Sequence, residues 1–492
     1  MNNAPFQTPA ALEANERVAR LFAAQQAAYR AEPYPSGSER VRRVQALKTQ
    51  MQRYQDVLAD AMSKDFGFRS HAESKILDLL GSTMEASHAI SHLKRWMKPS
   101  RRSTELLFLT NSVSVRYQPK GVVGVVTPWN FPIYLSVGPA IAALAAGNRV
   151  MIKMPEATPA TNALLRKMLA EVFPEDLVAV VGEELVDPSV FTTLPFNHIV
   201  FTGSPAVGKI VMRAAAANLT PVTLELGGKS PALVTRNYPV ADAAKRVTHG
   251  KTTNAGQICV APDYALVPRE SIEEFIAGVR RTVQSFFKGK TTGNPDFTSV
   301  VDDRQFKRIG KLLDDAREKG ASIESCGPMP TGSDRSLPLQ IITNLRPDML
   351  VMTEELFGPL LPVVPYDTME EAINYINDRE RPLALYCFSY DGAERDEVLT
   401  RTHSGGVSIN DWGWHVVNHD APFGGIGNSG MGNYHGEEGF RELSHAKTVF
   451  KRHRFFPVDL FYPPYGNFVQ RLTMKYFLGS ADPSLGGSTG AH

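Results

Sequence analysis

Gly121–Pro155, GVVGVVTPWNFPIYLSVGPAIAALAAGNRVMIKMP, is the stretch on which the fold turns. It opens on GVVGVVT and closes on RVMIKMP, two short apolar runs of the kind found in strands buried on both faces. Between them Pro132–Ala146 is the most apolar window of the chain, but Gly138 and Pro139 interrupt it and it is too short to span a bilayer. It reads as a buried helix. Strand, helix and strand in that order predict a parallel α/β sheet of the doubly wound kind.

Downstream the alternation continues with a helix over 158–172, the strands LVAVVG and NHIVFTGS, a helix over 206–218 and the strand PVTLEL. From Gly227 to about Ile409 it repeats in ALVTRN, a helix over 240–252, YALVPR, a helix over 272–287 and LALYCFSY, which predicts a second α/β domain. Upstream, LEANERVARLFAAQQAAYR and SERVRRVQALKTQMQRYQDVLADAMSK space apolar residues by three and four, so the chain is helical from Leu12 to about Met97, with Ser38 and Glu39 opening the second helix. In TELLFLTNSVSVR (104–116) the period drops to two around a Thr110-Asn111 turn. That predicts a hairpin apolar enough to pair with something else. After Phe450 the chain is rich in aromatics and Pro, and its Gly/Ser end has the composition of a disordered segment.

Composition excludes several classes of function. Lys and Arg (53) balance Asp and Glu (51) within a net charge of +2, which leaves no nucleic-acid footprint. The N-terminus lacks the basic and apolar regions of a secretory signal, and no transmembrane segment is expected. Three cysteines in 492 residues, Cys259, Cys326 and Cys387, cannot form a disulfide framework, which points to a reducing, cytoplasmic location. With no HExxH and dispersed cysteines, no metal site is expected.

Chemistry gathers at a few positions. Cys259 lies in the polar loop NAGQICVAPDY, which favours a nucleophile, although an isolated cysteine is more often a small buried hydrophobe. Glu225 ends the strand VTLEL, whose Val222, Leu224 and Leu226 share one face. A carboxylate there tends toward a raised pKa and suits a general base, and an internal ion pair is the alternative. Asn130, braced in PWNFP, suits an oxyanion donor or a rigid turn. Gly203-Ser204-Pro-Ala-Val-Gly208 follows a strand and opens a helix, so its N–H groups can face a phosphate. With Lys209 it matches the start of a triphosphate-binding loop, but Ile210 stands where a Ser or Thr must bind magnesium. Lys153 and Glu156 end a strand where parallel sheets bind ligands, and a solvated helix start would look similar.

Taken in order, PWNFP, IKMPEATP, FTGSPAVGK, LELGGKSP, GQICVAPD, EELFGP and PFGGIGNSGMG resemble the aldehyde dehydrogenase superfamily from about Gly121 to Lys447. The resemblance implies a Rossmann-like parallel-sheet cofactor domain (1–100 and 118–226) and an α/β catalytic domain (227–410). Oligomerisation and bridging segments (101–117 and 411–455), which include a β-hairpin arm, and a C-terminal tail (456–492) complete it. By the same resemblance Cys259 is the nucleophile, Glu225 the general base and Asn130 the oxyanion donor. Lys153 and Glu156 would bind the adenosine ribose, Gly203, Ser204 and Gly208 would face the pyrophosphate, and Glu355 and Phe357 would hold the nicotinamide ribose and ring.

NAD is the expected cofactor, because Glu156 can accept from a ribose 2′-hydroxyl and would repel a 2′-phosphate, with Lys153 leaving room for some NADP use. A homodimer is implied. CVAPDY, the short N-terminal region and YPPY resemble the class 3-like branch, and GMGNYHGEEGFRELSHAK resembles bacterial coniferyl aldehyde dehydrogenases. The expected substrate is therefore a hydroxycinnamaldehyde, for which Trp129, Phe131, Tyr134, Trp412 and Trp414 offer stacking surfaces, with packing of the fold the alternative use of the same aromatics. Long-chain aliphatic aldehydes are the alternative. A CoA-acylating relative would not need Glu225, and a non-redox thiol esterase would have no use for the nucleotide-facing loops.

Overall fold

The computed structural model describes residues 9–105 and 108–481. They form two units, the larger from 9–97 and 117–445, the smaller from 98–105, 108–116 and 446–481.

The larger unit is built on two mainly parallel sheets. In the first, the strands run in the spatial order Gly430–Met431, Val222–Leu226, His198–Gly203, Val122–Val126, Arg149–Lys153 and Val178–Val181. All neighbours are parallel except Gly430–Met431, which lies antiparallel to Val222–Leu226. The chain enters this sheet at Val122–Val126, fills one side through Val178–Val181, then crosses back to His198–Gly203. Strand order therefore reverses between Val122–Val126 and His198–Gly203, and the crevice beyond the carboxyl ends of these strands is where open α/β sheets bind ligands. The loops leaving those ends carry Asn130 and Ser204, and Glu225 sits at the carboxyl end of the neighbouring strand Val222–Leu226.

The second sheet runs Ser322–Ser325, Gln340–Thr343, Leu360–Tyr366, Tyr264–Pro268, Pro231–Val234, Ala384–Phe388 and Gly406–Ile409, parallel throughout except for the first strand. The expected second α/β layer is therefore present. Sequence reading passes over its outer strands and the helix Asp303–Glu318, whose N-terminus is capped by the Asp302 side chain.

The helix Tyr134–Ala146 is buried along its whole length, as its composition requires. Its first turn is capped from a distance: Asp78 Oδ1 accepts from the N–H groups of Ile133 (3.1 Å) and Tyr134 (3.0 Å). Asp78 lies in a short π-helical stretch, Lys75–Leu80, between the helices His71–Ser74 and Gly81–Trp96. The first helix, Pro9–Ala31, contributes Val18, Leu21 and Phe22 to a core shared with Val122, Met151, Phe201, Leu224 and Leu226.

Three local expectations are corrected. Ser36, not Ser38, caps the second helix by accepting from Glu39 N–H (3.2 Å), because the helix begins one residue earlier, at Gly37. That helix stops at Arg53 and restarts at Gln55, since Tyr54 leaves helical geometry. In the smaller unit the arm pairs Ser100–Arg102 with Ser112–Pro119, so its first strand precedes the expected one. Turns closed by Phe108 N–H on Glu105 O and Asn111 N–H on Phe108 O occupy the connection, and Leu106 and Leu107 lie outside the described residues. The third strand of this sheet is Ser444–Lys451, which supplies the pairing the hairpin was expected to need. A capped helix, Phe468–Leu478, follows the Pro-rich run, and the Gly/Ser end read as disordered lies outside the described residues.

Candidate active site

Cys259 is reached through an unusual backbone. Asn254 (φ 47°), Ala255 (φ 51°) and Gly256 (φ 70°) are all left-handed, and for the first two such a conformation costs roughly 1–3 kcal/mol each. At Gly256 a side chain is excluded outright, because a Cβ would stand 2.4 Å from Gly358 O. Hydrogen bonds hold the run in place. Glu73 Oε1 accepts from Asn254 N–H (2.7 Å), and Gln257 Nε2 donates to Asn254 O (2.9 Å) and Ser299 O (3.1 Å). The result presents a partly buried thiol. Burial pushes the thiol up to about 12, with the Glu355 and Glu225 carboxylates adding to the rise.

Cys259, Glu225 and Asn130 line one cleft of about 1140 Å³. Glu225 is 3% exposed, neither of its oxygens has a partner among the described residues, and burial raises its carboxyl well above the usual range. The ion pair that sequence left open as an alternative is absent at this residue. Thr223, on the same face of the strand, is spoken for by His198 Nε2 (2.8 Å), so Glu225 alone turns its unsatisfied oxygens toward the cleft.

Asn130 is held from behind. Its carbonyl accepts from Arg69 Nη1 (3.1 Å) and Asn254 Nδ2 (3.2 Å), and its amide Nδ2 donates to Gln257 O (3.1 Å). Arg69 in turn pairs with Asp78 at 2.8 Å, both side chains fully buried, so the cap of the helix Tyr134–Ala146 and the Asn130 loop share one ion pair. Sequence reading missed Glu73, Arg69, Asp78, Asn254 and Gln257.

On the other wall, a Cβ on Gly227 would stand 2.0 Å from the Glu355 carboxylate. Burial, then the Asp263 carboxylate, raises Glu355 to about 8. Phe357 is left-handed (φ 45°) and sets its ring edge-on to Trp129 at 5.2 Å. Asp263 and Arg308 fix this segment through Leu356 N–H (3.1 Å) and the Glu355 and Phe357 carbonyls (each 3.3 Å). Lys229 binds Asp263 at 2.5 Å.

Gly203 and Ser204 also line the cleft, and Ser204 caps the helix Pro205–Ala216. Gly208 lies one turn inside, where a Cβ would meet Leu226 at 2.7 Å, so the helix can approach the sheet closely. Two buried oxygens without a partner among the described residues, Thr202 Oγ1 and Glu355 Oε1, point to a ligand rich in hydroxyl groups. A helix N-terminus for phosphate with orphaned oxygens on the same cleft fits a dinucleotide.

Lys153 and Glu156 do not line this cleft. They bind each other at 2.6 Å at the end of the neighbouring strand. Burial pushes the Glu156 carboxyl up, but the Lys153 ammonium outweighs it and the net shift is downward. Of the expected aromatic surfaces only Trp129 borders the cleft; Trp412 donates to His249 Nδ1 (2.9 Å), and Trp414 is 63% exposed. No helix among the described residues is long and apolar enough to cross a membrane.

Comparison with known proteins gives this geometry a context. The chain is 52% identical over 458 residues to a probable coniferyl aldehyde dehydrogenase of Pseudomonas aeruginosa, covering 93% of this chain and 96% of that one. It is 46% identical over 399 residues to a coniferyl aldehyde dehydrogenase of a Pseudomonas species, covering 80% and 82%. Its fold superposes on substrate-bound AldH of Staphylococcus aureus with a TM-score of 0.89 at 31% identity, covering 94% and 99%. It also superposes on the NAD+ complex of an aldehyde dehydrogenase from Bacillus cereus with a TM-score of 0.81 at 25% identity, covering 89% of each chain. The model of the aldehyde dehydrogenase family matches residues 4–449, and the chain belongs to that family.

Proposed function

We propose that this NAD(P)-dependent aldehyde dehydrogenase oxidises a hydroxycinnamaldehyde such as coniferyl aldehyde to its acid, with NAD preferred, and that it works as a homodimer. The observation that carries the chemistry is the meeting of the Cys259 thiol and the unpartnered Glu225 carboxyl on one cleft. The names of relatives at 46–52% identity support the aldehyde.

In this reading Cys259 Sγ adds to the aldehyde carbon, and its proton leaves to a neighbouring base. The oxyanion accepts from Asn130 Nδ2 and the Cys259 N–H, donors fixed before the reaction by Arg69, Asn254 and Gln257. Glu355 and Phe357 would hold the nicotinamide end of a dinucleotide bound in the cleft, which would supply the hydride acceptor. What remains on Cys259 is a thioester. Glu225 removes a proton from water as it attacks, which makes water the acyl acceptor and the product an acid. Lys153 and Glu156, at the carboxyl end of the strand Arg149–Lys153, would contact the adenosine ribose, Glu156 favouring a free 2′-hydroxyl.

The test is kcat/KM for coniferyl aldehyde, a long-chain alkanal and acetaldehyde, each with NAD and NADP. A clear lead for coniferyl aldehyde with NAD is expected. A lead for the alkanal would move the substrate to fatty aldehydes, and strict NADP preference would overturn the role given to Glu156.

A further inference from the structure

Hydrolysis at Cys259 leaves a proton on Glu225, a group 3% exposed, and each turnover has to return that proton to solvent. On the side of the helix Gly81–Trp96 lies a series of buried polar groups for which the chemistry above has no use. Glu85 is 3% exposed and neither of its oxygens has a partner among the described residues. Tyr434 is 1% exposed and its hydroxyl is likewise unpartnered. The two meet over Gly138: a Cβ there would lie 3.0 Å from Glu85 Oε2 and 3.7 Å from Tyr434 Cε2. Tyr434 follows by three residues the strand Gly430–Met431, whose Gly430 is paired with Glu225 itself. Burial raises its hydroxyl far above the ordinary value, and Tyr134, Glu225, Glu85 and Cys259 all add to the rise.

The series continues outward. Tyr134 Oη lies 3.4 Å from His435 Nε2, and the His435 ring is 6.0 Å from that of His419. His419, His88 and Asp420 line a second pocket of about 580 Å³. There His88 Nε2 is 3.3 Å from Asp420, whose carboxylate is 66% exposed. Buried polar groups without protein partners take ordered water, and hydroxyl, carboxyl and imidazole groups joined by water can pass a proton along. A purely structural role explains Glu85 poorly, because an acid that makes no hydrogen bond to protein gives nothing to packing and costs free energy to bury. Burial raises it to about 8, within reach of a proton exchange near neutral pH.

We propose that Glu85 and Tyr434 relay the proton of thioester hydrolysis from Glu225, through ordered water, to His435, His419 and His88 and so to solvent at Asp420. The step rests on the hydrolytic reading and balances simply. The thiolate that leaves takes up the proton of the carboxylic acid product, the Glu225 O–H bond breaks, each relay group accepts one proton as it gives up another, and one proton per thioester reaches solvent with no change of oxidation state.

Stopped-flow mixing with a pH indicator tests it. In the unaltered enzyme proton release should keep pace with the steady formation of reduced cofactor. In Glu85→Gln, whose amide cannot relay, the first reduced cofactor should appear at the unaltered rate, after which turnover and proton release should both slow by about ten-fold or more. Glu85→Asp should recover part of the loss. The same split is expected without cofactor when 4-nitrophenyl acetate acylates Cys259 directly: an unaltered nitrophenolate burst and a slowed steady phase. If Glu85→Gln fails to fold, the double variant His88→Asn/His419→Asn interrupts the outer end and should give the same split.

Equal loss in the first and later turnovers, or no loss at all, would overturn the relay. Failure of the hydrolytic reading itself has a different signature. Glu225→Gln would then accumulate no acyl-enzyme whatever Glu85 does.

Discussion

At the scale of single residues, the resting site is held in its protonated forms by burial. The Cys259 thiol is pushed up to about 12, Glu355 to about 8, and Glu225 well above its ordinary range. The three share one cleft, and both carboxylates add to the rise at Cys259. Cys259→Ala should abolish dehydrogenation while cofactor binding, followed by fluorescence titration, persists. Cys326→Ala and Cys387→Ala should keep most activity, and loss in either without unfolding would contradict the assignment of the nucleophile. Asn130→Ala removes one oxyanion donor and should lower kcat by roughly 10²–10³ with a smaller change in KM. Glu225 must be deprotonated to accept the proton of water, and its folded-state pKa is raised, so hydrolysis should be suppressed at low pH and rise as pH climbs through that pKa. In Glu225→Gln a burst of reduced cofactor should give way to slow turnover with an acyl adduct visible by mass spectrometry, and the acid limb of the kcat profile should vanish. An acid limb unchanged in that variant would remove Glu225 as the base.

At the scale of elements, the parts legible in the sequence are those written in local pattern. Alternating apolar runs and helices gave the five parallel strands of the first sheet and the three central strands of the second, and the whole burial of Tyr134–Ala146 follows from composition alone. The loop motifs placed Cys259, Glu225, Asn130, Gly203, Ser204, Glu355 and Phe357 on one cleft. What escaped is what depends on distant partners. Arg69 reaches Asn130 across 61 positions and Glu73 reaches Asn254 across 181, separations at which no spacing rule operates. The π-helical stretch Lys75–Leu80 that carries Asp78 is equally invisible to a 3.6-residue period. Asp78→Ala should therefore do two kinds of damage. It leaves the Arg69 charge buried and unpaired and removes the acceptor for Ile133 and Tyr134 N–H, a combination expected to cost about 3–5 kcal/mol. It also frees the Asn130 loop. Thermal unfolding should show a clearly lowered Tm, and at temperatures where the variant remains folded kcat should fall further than cofactor affinity. A variant with wild-type Tm would mean that Arg69 finds another partner.

At the scale of the whole molecule, the smaller unit exposes more apolar surface than a lone chain tolerates well. Phe450, Phe455, Tyr462, Tyr465, Phe468, Tyr476, Phe477 and Leu478 are all exposed, and Ser444–Lys451 is an edge strand of its three-stranded sheet. An open edge beside exposed aromatics favours pairing with a second chain, and a second copy of this protein is the partner the proposed homodimer supplies. Sedimentation velocity should accordingly give a dimer at micromolar concentration, and Tm should rise with protein concentration because association stabilises the folded state. Deleting residues 446–492 removes most of that strand and the exposed aromatics after it, and leaves the two larger sheets intact. The shortened protein should sediment as a monomer with a Tm independent of concentration. A dimer that survives the deletion would place the interface on the larger unit, and a full-length monomer would remove the dimer altogether.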